Sequence, residues 1–245
     1  MNRILKYILI IAGVLLCMSY AVIANTKSNE TDEEKVCNRI NITITDINHK
    51  QLISNKEIEV LLRNNQLHPI GKSLRNIVSK DIEDVIAKHP MVREVECYKS
   101  PTGEVQVVIE QRTPVLRVMG EENYYVDELG KTMPVSLNFS AYVPVATGRI
   151  TKKMATNELF EFAYFVHKHP FWNDQIDQIN INEKMEVELI PRVGNHLIYL
   201  GKFDRYEQKL EKLKKFYLYG MNEFGWNIYS KIDLRFKDQV VCTKK

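Results

Sequence analysis

Residues 104–117 read E-V-Q-V-V-I-E-Q-R-T-P-V-L-R, and their pattern decides how the chain divides. Val105, Val107 and Ile109 alternate with Gln106, Val108 and Glu110, the period of a strand with one buried face. The run breaks at Gln111-Arg112-Thr113-Pro114, because proline has no N–H to give a central ladder. Val115, Leu116 and Val118 resume the extended pattern. One extended segment therefore leaves one folded unit and enters another, with Gln111, Arg112, Thr113 and Pro114 as the domain junction. So short a connection is expected to restrict domain rotation. Arg112 is read as a structural pin at that junction.

Upstream, Arg39 to Ile47 places Ile40, Ile42 and Ile44 on one side of a strand and Asn41, Thr43 and Thr45 on the other. Ser54-Asn55-Lys56-Glu57 has the spacing of a capping box, and Ile58, Leu61 and Leu62 then share a helical face that fades by Asn64-Asn65. Ser79 is expected to open a second helix, with Ile82, Val85 and Ile86 buried and Pro90 marking its end. Val92 to Ser100 and Glu104 to Gln111 form a hairpin around Pro101-Thr102-Gly103. The order is β-α-α-β-β, and its economical packing is two helices on one face of a three-stranded sheet.

Downstream the chain is strand-rich. Short strands are expected at Asn123 to Val126 and Tyr142 to Ala146, with Asp127-Glu128-Leu129-Gly130 as a turn. Thr156 to His169 reads as a helix stopped by Pro170, followed by strands at Ile176 to Ile181, Met185 to Pro191 and His196 to Leu200. Asp204 to Met221 is the strongest helix; Leu210, Leu213, Phe216 and Tyr217 form its buried face, and Lys212 with Lys215 decorate the outside. Ile228 to Phe236 and Gln239 to Thr243 close the chain as strands. The fold class is α+β, with a mixed β-sheet domain and helices on one side.

The 245 residues suffice for a membrane anchor and two modest domains. A formal net charge of +3 is too small to argue for nucleic acid. Tyr7 to Ala24 carries no charge and is almost wholly apolar, just long enough to cross a bilayer. Arg3 and Lys6 precede it and acidic residues follow, which would place the N-terminus in the cytoplasm and the bulk of the chain outside. The competing reading is a cleaved signal peptide, because Val22-Ile23-Ala24 ends in small residues. Of the cysteines beyond this segment, Cys37, Cys97 and Cys242 allow one disulfide in an oxidising compartment or three free thiols.

No chemistry-bearing motif emerges. The six histidines are scattered, and His167 and His169 point to different sides of a helix. No H-E-x-x-H, G-x-S-x-G or phosphate-cradling glycine loop is present. The expectation is a non-enzyme without cofactor or metal. Surfaces look more informative. Lys237 to Thr243 is a strand at the very end of the chain, where an edge offers unpaired N–H and C=O groups to a partner. The alternative is that it completes the sheet, with Lys244 and Lys245 blunting the edge.

Several segments, in this order behind one apolar run, resemble the FtsQ/DivIB cell-division family. They are Ile82-Glu83 with His89-Pro90-Met91-Val92, Val108 through Val115, Tyr124-Tyr125-Val126-Asp127-Glu128-Leu129-Gly130, and Ile232-Asp233-Leu234-Arg235-Phe236. The first soluble unit resembles a POTRA domain. The Trp226 context and the Gln239-Val240-Val241-Cys242 ending resemble the versions in Bacteroidetes-type bacteria.

The resemblance implies a cytoplasmic N-terminus (1–6), a transmembrane helix (7–24), a linker (25–36), a POTRA domain (37–112) and a β-domain (113–245). It implies a single-pass inner-membrane protein at the division septum, non-catalytic, with FtsB- and FtsL-like coiled-coil proteins as partners. Other division proteins would contact the POTRA domain. Carried over, the partner-binding positions are Phe236, Lys237, Asp238, Gln239, Val240, Val241 and Cys242, by addition of a partner strand. Two alternatives from other classes are a POTRA-type secretion or assembly factor, which should carry several such units or a barrel, and a secreted periplasmic enzyme with a cleaved signal.

Overall fold

The computed structural model describes residues 12–23, 35–45, 52–136, 139–221, 223 and 225–245. Beyond the N-terminal segment, the described chain forms two compact units, one of residues 35–45 and 53–110, the other of Leu52 and everything from Gln111 onward.

In the first unit, β1 (Arg39–Thr45) runs parallel to β3 (Glu104–Gln111), and β2 (Val92–Lys99) lies on β3's other side. The alternation of residues 104–111 is realised: Val105, Val107 and Ile109 are fully buried. Helices α2 (Asn55–Asn64) and α3 (Ser79–Ile86) supply Ile58, Leu62, Ile82 and Ile86 to the same core. Ser54 caps α2, its side-chain oxygen accepting the Glu57 N–H at 3.2 Å. Ser79 does not cap α3; it is the first helical residue, and Val78 stands at the cap position. Glu57 also meets His89 Nε2 at 3.2 Å, joining α2 to the turn after α3.

The second unit is a nine-stranded mixed sheet in the order β12-β11-β10-β9-β8-β7-β4-β5-β6. Its strands are β4 (Pro114–Val118), β5 (Tyr124–Asp127), β6 (Thr132–Pro134), β7 (Val145–Gly148), β8 (Ile176–Ile181), β9 (Val187–Pro191), β10 (Leu197–Gly201), β11 (Tyr229–Asp233) and β12 (Val241–Lys244). β4, β7 and β8 are parallel, as are β10 and β11; β5 pairs antiparallel with β4 and β6, β9 with β8 and β10, and β12 with β11. The helices are α4 (Lys152–Ala155), α5 (Glu158–Lys168), α6 (Pro170–Gln175) and α7 (Tyr206–Lys215). Leu116, Ile179, Leu189, Leu200 and Ile232 from the sheet share one core with Leu159, Phe162, Trp172, Leu210 and Leu213 from the helices.

Four sequence expectations shift for identifiable reasons. The strand expected at Tyr142 to Ala146 starts only at Val145, after Pro144, which has no N–H for a ladder. Pro170 follows the end of α5 at Lys168, as expected, but also opens an unexpected short helix, α6, at whose first position its missing N–H costs nothing. The helix expected over Asp204 to Met221 ends as α7 at Lys215 and continues as a wider π-helical turn, Phe216–Met221. The last strand begins two residues later than expected, at Val241.

The membrane reading is corrected. Among the described residues no helix is long and apolar enough to cross a membrane. Residues 12–23 (α1) of the expected span are helical, and its residues 7–11 and 24 lie outside the described residues. The expected single-pass inner-membrane topology is contradicted, because no described helix can make the crossing. The expected cytoplasmic segment 1–6 and residues 25–34 of the expected linker lie outside the described residues. All four cysteines, Cys17, Cys37, Cys97 and Cys242, are free, which removes the disulfide reading.

Candidate protein-interaction surface

β12 is an edge strand: β11 lies on one side and the sheet ends on the other. Its register pairs Val241 with Asp233, Cys242 with Ile232 and Thr243 with Lys231. Val241 is 40% exposed, on the face away from the core, while Cys242 packs against the core. Burial pushes the Cys242 thiol pKa up. The far end is held by Ser230, whose Oγ donates to the carbonyls of Thr243 at 3.2 Å and Lys244 at 3.3 Å, and by the Lys245 N–H reaching the Ile228 carbonyl at 3.0 Å.

Of the seven residues carried over as partner-binding, only Val241 and Cys242 are in the strand. Phe236, Lys237 and Asp238 form a bend, and Gln239 and Val240 lead from it. Phe236 is 49% exposed. The bend is met from below by Lys212, whose ammonium reaches the carbonyls of Phe236, Lys237 and Gln239. Burial lowers the Lys212 pKa, Asp238 opposes that, and Lys209 and Arg205 add to it. Lys212 is therefore not an outer-face decoration of its helix. No sequence signal marks it, because its partners are backbone carbonyls that any residue carries.

The strand beside the edge is fixed by charge. Arg235 Nε and Nη2 donate to the two carboxylate oxygens of Asp233 at 3.1 and 2.8 Å. Desolvation raises the Asp233 pKa, but these hydrogen bonds outweigh it and hold the carboxyl below its usual range. Arg235 also faces Glu186 at 3.5 Å and lies 4.3 Å over the Tyr199 ring, which Lys231 approaches at 4.0 Å. The Tyr199 hydroxyl donates to Glu186 at 2.6 Å, the first cause of that carboxyl's lowered pKa.

At the other end of the sheet, β6 has three residues and ends in Pro134, which blunts that edge. The junction residues lie nearby. Gln111 Oε1 accepts the Leu52 N–H at 3.0 Å. Arg112 Nε donates to Asp127 at 2.8 Å, and Nη2 reaches the carbonyls of Lys131 and Thr132 at 3.1 Å. The Thr113 carbonyl accepts the Glu128 N–H at 3.0 Å, and Pro114 opens β4 opposite Asp127. The guanidinium thus ties the start of β4 to the β5–β6 turn.

Among the described residues no group of three His, Cys, Asp or Glu side chains is arranged to hold a metal ion. A search of curated proteins finds no match. A family model for a POTRA-like domain matches residues 35–110. A second, described as FtsQ/DivIB, C-terminal related, matches residues 113–243, more than half of the chain. That region covers the nine-stranded sheet up to but not including the last residue of its edge strand β12, and the chain belongs to the FtsQ/DivIB, C-terminal related family.

Proposed function

We propose that this protein is a non-catalytic scaffold of the cell-division machinery, whose mechanism is association. The observation that carries the reading is β12, an exposed edge at the end of a sheet whose other edge is capped by a proline-terminated strand. An added partner strand would gain main-chain hydrogen bonds from β12 and side-chain contacts from Val241 and the Phe236 bend. FtsB- and FtsL-like coiled-coil proteins are the partners in this reading. The POTRA-like unit would offer a second surface to other division proteins.

Recognition of this kind depends on strand continuity more than on side-chain identity. Val241→Pro removes an N–H and cannot extend a ladder. The variant is expected to lose capture of a purified FtsB-like protein while its far-ultraviolet circular dichroism stays that of the wild type. Undiminished capture by the folded variant would refute strand addition at β12.

A further inference from the structure

We infer that Lys212 is the positioning residue of the terminal edge: its ammonium tethers the bend 236–239 and so sets where β12 begins. The inference rests on the strand-docking reading above.

Lys212 lies in the last turn of α7, whose Leu210 and Leu213 are fully buried, so its backbone is anchored in the core. An ammonium carries three N–H donors and accepts nothing. Here three carbonyls converge on it: Phe236, Lys237 at 3.0 Å and Gln239 at 3.4 Å. Before the bend, the Leu234 N–H reaches the Tyr199 carbonyl at 2.9 Å; after it, β12 joins β11. Among the described residues no backbone hydrogen bond ties Phe236–Gln239 to the rest of the unit. The ammonium spans that gap. The cleft between α7 and residues 234–237 holds about 20 Å³, room for one water, so Lys212 faces backbone and not a ligand site. Arginine keeps the charge, but its planar fork does not aim three N–H groups from one atom.

The test is amide hydrogen exchange on the full chain. Lys212→Met is expected to speed exchange of the β12 amides that pair with β11, within Val241–Lys244, by about tenfold or more, with residues 206–211 unchanged. Lys212→Arg should fall between. Affinity for the FtsB-like protein should drop by about tenfold in Lys212→Met, with Lys212→Arg again between. Unchanged exchange in Lys212→Met overturns the tether whatever binding does. Faster exchange with undiminished affinity overturns its role in docking. If the wild type itself fails to bind, the docking reading falls, and exchange still decides the tether. If Lys212→Met does not fold, Lys212→Gln is read by the same exchange.

Discussion

Asp127 organises the entrance to the second unit with one carboxylate. It is 1% exposed; Oδ1 accepts the N–H groups of Leu129 at 3.0 Å and Lys131 at 2.7 Å, and Oδ2 takes the Arg112 guanidinium. Turn chemistry explains its place without catalysis, as the Asp127–Gly130 spacing suggested. Removing one partner of a buried pair leaves the other charge uncompensated. Asp127→Ala is therefore expected to cost about 3 kcal/mol, measurable by urea denaturation. A change below ~0.5 kcal/mol, the range of an exposed site, would contradict this account.

His196 is the residue through which acid should act. It is buried, and its Nε2 lies 2.7 Å from the Tyr217 hydroxyl, in a cluster with Trp226. Burial lowers its pKa, and the Lys245 charge lowers it further; burial pushes the Tyr217 hydroxyl up, so that group stays protonated. The unfolded imidazole takes a proton near its ordinary value of ~6.5 while the folded one resists. Stability is full above that value, falls as pH drops through it, and levels off below the folded pKa. His68 and His167 shift the same way, so the attribution needs a variant. His196→Gln is expected to flatten part of the decline in melting temperature between neutral and acid pH. An unchanged slope would remove His196 from the account.

At the scale of elements, periodic stretches were legible and contextual ones were not. Residues 104–111 and 39–45 declare themselves by alternation, and α2 by its cap and apolar face. Such patterns follow from burial of one face. The π-helical turn at Phe216–Met221 keeps helical spacing in the sequence, so nothing there separates it from α7; it carries Tyr217 to His196. β6 was missed because only Met133 of its three residues is buried. Lys212 was misread because helical spacing gives a face, not what lies across from it. One element boundary is set by a glycine. Gly148 ends β7 at φ +94°, and a Cβ there would stand 2.0 Å from the Ile181 carbonyl oxygen of β8. Gly148→Ala is expected to destabilise by at least about 3 kcal/mol, because backbone rather than a flexible side chain must move. A melting temperature equal to the wild type would contradict the observed β7–β8 register.

For the whole molecule, the segment 104–117 carried the most information. It runs from β3 through Arg112 and Thr113 into β4, and the two family matches end and begin within three residues of one another, at 110 and 113. The membrane span was the opposite case: an uncharged run suggested a crossing helix, and among the described residues no helix is long and apolar enough to be one. The partner-binding stretch was legible as a terminal strand, but its first half proves to be a bend, because Lys212 draws those carbonyls toward α7. The central claim is that β12 accepts a partner strand. The most direct measurement is residue-resolved amide exchange across Val241–Lys244, with and without a purified FtsB-like protein. In a strand with β11 on one side, alternate amides point outward. The account predicts that those alternate amides alone gain protection on binding. Binding that leaves every β12 amide as exchangeable as before would contradict it.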